Sequence, residues 1–148
     1  MITEAARLPG LDGRKMSKSY GNAIYLKEDM DSLKKKIFSM LTDTNRKRLK
    51  DPGDPKNCNL FPHLKILDLE GDFSEIIYGC KNATRGCTDC KKLLFEKMAK
   101  LLEPIQKKRK ELEKDTMIMD ILKEGTNRAR EEAKKTMEEV RKKIGFIY

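Results

Sequence analysis

An all-α fold, a helical bundle behind a short loop segment, follows from three features of this 148-residue sequence. From Tyr25 onward apolar residues recur at intervals of three and four, the period of helices packed by one face. Glycine and proline gather in two blocks, one from Pro9 to Gly21 and one around Asp-Pro-Gly-Asp-Pro at 51–55. Too few residues precede Pro9 to hold any alternation of strands and helices.

In chain order, the first block is punctuated by Pro9, Gly10, Asp12 and Gly13 and closed by Gly21-Asn22, the signature of a loop. The first helix starts at Asp29 or Asp31, where a carboxylate meets free amide groups. Met30, Leu33, Ile37, Met40 and Leu41 share its inner face, with Lys34, Lys35 and Lys36 opposite. Thr42 to Pro62 reads mostly as loop. Shorter helices are expected over Leu64–Leu69 and Phe73–Tyr78. A long amphipathic helix runs from Cys90 to Lys114, with Leu93, Leu94, Met98, Leu101, Leu102 and Ile105 on one side. Pro104 is expected to kink or break it. Asp115 should cap a short helix that stops at Gly125. A last helix, Asn127 to Lys143, places Ala129, Ala133, Met137, Val140 and Ile144 on one stripe, and Gly145 stops it. There is no internal repeat, and the apolar stripes are core.

Apolar residues make up 38% of the chain and charged residues 39%, with a net charge of +9. So basic a chain often meets nucleic acid. The same balance also serves ordinary solubility, and abundant Lys and Glu suit a heat-adapted organism. No apolar run reaches the length of a membrane span, and the start Met-Ile-Thr-Glu-Ala-Ala is not a secretory signal. A soluble, cytoplasmic protein without a membrane partner is expected.

The first block carries Lys15-Met16-Ser17-Lys18-Ser19 inside Leu-Pro-Gly-Leu-Asp-Gly-Arg-Lys-Met-Ser-Lys-Ser-Tyr-Gly-Asn-Ala-Ile at 8–24. Lysine is a compact charge on a flexible stem, able to follow a phosphate as it moves. Cations so placed stabilise charge that builds on phosphate oxygens in nucleotidyl transfer. A glycine-bounded loop can close over ATP and reopen. A basic surface loop without a ligand is the plainer reading of the pentapeptide. The framed block resembles the second signature of the class I aminoacyl-tRNA synthetases, in the version of the tryptophanyl and tyrosyl enzymes. The resemblance implies that Lys15 and Lys18, Lys18 foremost, steady the pyrophosphate of ATP during adenylation. Ser17 and Ser19 would shape the loop or bond phosphate, and Met16 would anchor it.

That family also uses a first signature with two histidines, and this chain has only His63. The sequence therefore reads as a carboxy-terminal piece. Residues 1–26 would close a Rossmann-type catalytic domain that is otherwise missing, and 27–148 would form a helical anticodon-binding domain. His63 itself is read as a packing residue. Further matches run along Leu-Thr-Asp-Thr-Asn-Arg-Lys-Arg at 41–48, Asp-Pro-Gly-Asp-Pro-Lys-Asn-Cys at 51–58, Gly-Cys at 86–87, Asp-Cys-Lys at 89–91 and Ile-Leu-Lys-Glu-Gly-Thr-Asn-Arg-Ala-Arg-Glu-Glu-Ala at 121–133. These resemble the bacterial tryptophanyl-tRNA synthetases.

Cys58, Cys80, Cys87 and Cys90 are spaced Cys-x21-Cys-x6-Cys-x2-Cys. The two-residue gap lets one turn aim both sulfurs at a single metal, and four thiolates complete either a zinc site or an iron–sulfur cluster. Two disulfides, or four reduced and unliganded cysteines, are the competing readings. The resemblance favours a four-iron–four-sulfur cluster over zinc.

Arg46, Lys47, Arg48 and Lys50 form a basic loop suited to RNA phosphates, with a solvated charged loop as the plainer reading. Lys107 to Lys110 read as a solvated helix face. The resemblance implies an ATP-dependent tryptophan–tRNA ligase with tRNA(Trp), tryptophan and magnesium-bound ATP as partners. It also implies a homodimer in the full-length form; without the histidine pair, the isolated piece is expected not to catalyse. A free-standing RNA-binding module built around a metal or cluster is the alternative. A redox-sensing cysteine protein is a third class, against which the lysine loop argues.

Overall fold

A computed structural model describes residues 8–67, 73–114 and 116–146. Among them are five α-helices, one short 3-10 turn at Pro55–Asn57 and no strand. The helices are α1 (Met30–Ser39), α2 (Leu60–Leu67), α3 (Phe73–Lys81), α4 (Cys87–Glu113) and α5 (Met117–Lys143). The expected helical character holds. The chain divides into two compact units, one ending at Gln106 and the other starting at Lys107.

The first unit is built around α1, α2 and α4. Leu33, Ile37, Met40, Leu60, Leu64 and Leu94 are fully buried, with Phe61, Ile76 and Leu102 around them. Burying each large aliphatic side chain contributes about 1.5–3 kcal/mol. Phe61 and Phe73 meet edge to face, with ring centroids 5.5 Å apart. Asp29 caps α1 by accepting from the Ser32 amide at 2.9 Å, while Asp31 lies in the first turn. Lys36, read as solvent-facing, instead ties the preceding segment to α1. Its Nζ donates to Glu28 at 2.6 Å and to the Ala23 carbonyl at 3.0 Å, and it lies over the Tyr25 ring.

Several boundaries differ from expectation, each for a local reason. The first helix ends at Ser39, so Met40 is its buried cap and Leu41 is exposed. Helix α2 starts at Leu60, inside the expected loop. Pro62 sits in its first turn, where the missing N–H would have had no partner anyway. The expected end of that helix at Leu69 lies outside the described residues. Helix α3 extends to Lys81, and α4 begins at Cys87. Pro104 does not break α4: it lies on an exposed face, where water can take up the carbonyl it leaves unbonded.

In the second unit Gly125 does not stop a helix. Helix α5 runs through it, and flanking turns absorb a glycine penalty of about 1 kcal/mol. The cap expected at Asp115 lies outside the described residues. The helix does end before Gly145, whose φ is +72°. None of the described α5 residues is buried, so the stripe of Ala129, Ala133, Met137, Val140 and Ile144, expected as core, is exposed instead. The basic run at 107–110 is exposed, with Lys108 paired to Glu111 and Arg109 to Glu113, as a solvated face should be. Among the described residues no helix is long and apolar enough to cross a membrane.

Candidate functional site

The lysine loop is a compact knot organised by one buried side chain. Asn22 is 4% exposed. Its Oδ1 accepts from the Ser17 amide at 2.8 Å, and its Nδ2 donates to Asp12 at 2.7 Å and to the Lys15 carbonyl at 3.2 Å. The start and the middle of the lysine stretch, at Lys15 and Ser17, are thus tied to a single carboxamide. A bridge between Pro9 and Lys15 and a bond from the Gly10 amide to the Arg14 carbonyl at 2.6 Å close the turn. Gly10 must be glycine, because a Cβ there would fall onto the Asn22 carboxamide and backbone. The Asn22 hydrogen bond, with help from Arg14, holds the Asp12 carboxyl below the ordinary carboxylate range. Arg14 also lies 5.0 Å from the Tyr20 ring.

On this frame Lys15, Lys18 and Ser19 are exposed, while Met16 and Ser17 are half-buried. Ser17 and Ser19 share a hydroxyl contact of 2.9 Å. Neither lysine is in an ion pair among the described residues, and both side chains are exposed to solvent. The loop is fastened to the bundle by the Leu41 amide, which donates to the Leu11 carbonyl at 3.1 Å, and by His63.

His63 is 2% exposed, and its Nε2 donates to the Pro9 carbonyl at 2.9 Å. Burial pushes its pKa below 6.5, so the neutral ring is the folded form. A depressed basic group contributes stability above its unfolded pKa, and that contribution is lost as pH falls toward the folded value. Because His63 is the chain's only histidine, the window from about pH 7.5 to about pH 5.5 isolates it from the carboxylates. Urea unfolding should show stability falling across that window by at most about 1.4 kcal/mol per pH unit. His63→Gln should flatten the slope; an unchanged slope would exclude His63 as its source.

The four cysteines come from three places in the chain. Cys58 follows the Pro55–Asn57 turn, Cys80 ends α3, and Cys87 and Cys90 occupy the first turn of α4. All four are free, so the two-disulfide reading does not hold in this structure. The thiols of Cys58, Cys80 and Cys90 are raised by burial, and each also feels the charge of other cysteines of the set. Arg46 opposes the rise at Cys80, and Arg85 opposes it at Cys90. Among the described residues no three His, Cys, Asp or Glu side chains form a set that could hold a metal ion.

The basic loop divides in two. Arg46 turns inward: its Nη1 donates to the Arg85 carbonyl at 2.9 Å and approaches the Cys87 sulfur at 3.9 Å, and its Nη2 donates to the Leu49 carbonyl at 2.8 Å. Lys47, Arg48 and Lys50 remain exposed. Asp51 shapes their turn by accepting from the Lys47 and Arg48 amides at 3.2 and 2.7 Å. Sequence reasoning grouped Arg46 with the outward cations, and it missed Asn22 as the loop's organiser and Arg85 as a partner of Cys90. Asn22 could have been found, because a carboxamide directly behind a tight glycine turn is a standard means of bonding loop backbone.

The family model described as tRNA synthetases class I (W and Y) matches residues 1–103. The tryptophan–tRNA ligase of Thermotoga maritima is 41% identical over 150 residues, covering 100% of this chain and 46% of that protein. That of Aquifex aeolicus is 41% identical, covering 99% of this chain and 38% of that protein. The solved structure of Campylobacter jejuni tryptophanyl-tRNA synthetase complexed with ADP and tryptophan is similar at a TM-score of 0.79 and 35% identity. It covers 95% of this chain and 44% of that one. The chain thus spans less than half the length of these relatives. Their similarity includes the lysine loop as well as the helices, and nothing in it supports a free-standing metal-bound module. The chain belongs to the class I tRNA synthetases of the tryptophan and tyrosine group, within which it is similar to the tryptophanyl enzymes.

Proposed function

We propose that this chain serves an ATP-dependent tryptophan–tRNA ligase, supplying the phosphate-steadying loop and the region that reads tRNA(Trp). The observation that carries the reading is the pair of exposed lysines on the loop fixed by Asn22, in a chain 41% identical over its whole length to a tryptophan–tRNA ligase. In adenylation the tryptophan carboxylate attacks the α-phosphorus of magnesium-bound ATP, and pyrophosphate leaves. Lys18 and Lys15 meet the charge that develops on it. Residues 1–26 act as the end of the catalytic domain and 27–148 as the anticodon-binding domain. Lys47, Arg48 and Lys50 contact tRNA phosphates, while Arg46 braces their loop from inside. The whole enzyme works as a cytoplasmic homodimer.

The cysteines fit an anionic, thiolate-bound centre. Arg46 approaches the Cys87 sulfur, Arg85 acts on Cys90, and the Arg85 Nε is buried without a hydrogen-bond partner, so positive charge is gathered where thiolates would stand. Cys58, Cys80, Cys87 and Cys90 would hold a four-iron–four-sulfur cluster, each through one thiolate. Zinc is the alternative, but a single ion needs sulfurs gathered more tightly than a cubane does. The cluster would serve as a cross-link between the 42–58 loop, the end of α3 and the start of α4.

The test is a chimaera in which these 148 residues replace the matching part of the Thermotoga maritima ligase. Tryptophan-dependent ATP–pyrophosphate exchange and charging of tRNA(Trp) are expected. A folded chimaera without exchange would overturn the assignment of the lysine loop.

A further inference from the structure

An open cavity of about 510 Å³ lies against α3, lined by Ser74, Glu75, Tyr78, Gly79, Thr84 and Arg85. Tyr78, which lines it, is 67% exposed. The basic loop is attached to its far wall. Arg46 donates to the Arg85 carbonyl, and Leu49 lies so close over Gly86 that a Cβ there would be 3.4 Å from it. The loop that carries exposed Lys47, Arg48 and Lys50 is thus joined, through Arg46 and Leu49, to the Arg85–Gly86 end of a cavity that offers the Tyr78 side chain and the Glu75 carboxylate.

We propose that this cavity takes one unpaired nucleobase of an RNA loop, stacked on Tyr78, with its amino group donating to Glu75 and the adjoining phosphates held by Lys47, Arg48 and Lys50. The inference rests on the tRNA-reading role proposed above and names where a base is read. Proteins read RNA sequence mainly from unpaired bases, which can be splayed out and stacked on aromatic side chains. A tyrosine face accepts any base, so Tyr78 supplies affinity. A carboxylate only accepts, so Glu75 supplies choice. Cytosine and adenine present an amino group to it, as cytosine does to acidic side chains in duplex readout. Uracil flanks its single N–H with two carbonyls and pairs worst.

The experiment titrates the 148-residue chain into fluorescein-labelled RNA hairpins whose unpaired loops are cytidine-, adenosine- or uridine-rich, read by anisotropy over a series of salt concentrations. Tyr78→Ala should weaken binding about tenfold, within the range of one lost stacking contact. Tyr78→Phe should stay within about twofold, because the ring face is kept. Neither should change the slope of affinity against salt, which counts phosphate contacts. Glu75→Gln should narrow the preference for cytidine over uridine. Binding untouched by Tyr78→Ala, in a chain whose affinity still falls on Lys47→Ala or Arg48→Ala, would overturn the base pocket while leaving the tRNA reading intact. A parent chain that binds neither these hairpins nor tRNA(Trp) would overturn both.

Discussion

Lys18→Ala in the chimaera is expected to lower tryptophan-dependent ATP–pyrophosphate exchange about 10²- to 10³-fold, the scale of losing one placed donor to developing charge. Its affinity for tRNA(Trp) should be unchanged. The side chain is exposed and makes no ion pair among the described residues, so its removal costs little stability. The loss should fall on kcat more than on the KM for ATP, because the leaving pyrophosphate carries more charge in the transition state than in bound ATP. Lys18→Arg should rescue poorly, since a planar guanidinium cannot follow a moving phosphate as a compact ammonium does. Asn22→Ala keeps every lysine but releases the backbone at Lys15 and Ser17, so it should reduce exchange by the same route. Lys47→Ala and Arg48→Ala should do the reverse, weakening tRNA binding and sparing exchange. Equal damage to both activities from Lys18→Ala and from Arg48→Ala would sink the division of labour between the loops.

The sequence made the lysine loop legible because its chemistry is contiguous: glycines, lysines and the closing asparagine lie within one short stretch. Helix existence was legible for the same reason, since the stripes through Leu33 and Ile37, and through Leu94 and Leu102, are local patterns. Boundaries failed where one residue type has two meanings. Pro62 reads as a breaker but serves as a first-turn residue. Gly125 reads as a stop but is carried by the turns on either side. What could not be read was direction. Whether Arg46 points to RNA or to Cys87 depends on Arg85, 39 residues away in sequence, whose carbonyl captures it. The cavity against α3 is local, since its lining residues all lie between Ser74 and Arg85, but its link to the basic loop is not: that runs through Arg46 and Leu49, far away in sequence.

Replacing any one of the four cysteines by serine should abolish a visible chromophore. The chain prepared anaerobically with iron and sulfide is expected to be brown and to hold four irons. It should unfold at higher temperature than the metal-free form, because a ligand bound only to the folded state stabilises it by mass action. Cys90→Ser should remove the colour and that gain together. A colourless protein with one zinc per chain would replace the cluster by zinc. A chain that takes up neither metal, and whose thiols all react at once with a disulfide reagent, would overturn the centre altogether. Gly53→Ala separates geometry from ligand count. All four cysteines remain, but the added Cβ would sit 2.7 Å from the Cys80 sulfur. Real Cβ atoms do not approach so closely, so either the sulfur or the 52–54 turn must move. The Gly53 amide also donates to the Cys80 carbonyl at 3.0 Å, which fixes the turn to the end of α3. The sulfur is the freer of the two, and its displacement should impair iron loading. Because Arg46 packs on the same glycine, the disturbance should reach the basic loop and weaken tRNA binding. If Gly53→Ala loads iron normally and binds tRNA normally, the cysteine centre does not depend on this close packing.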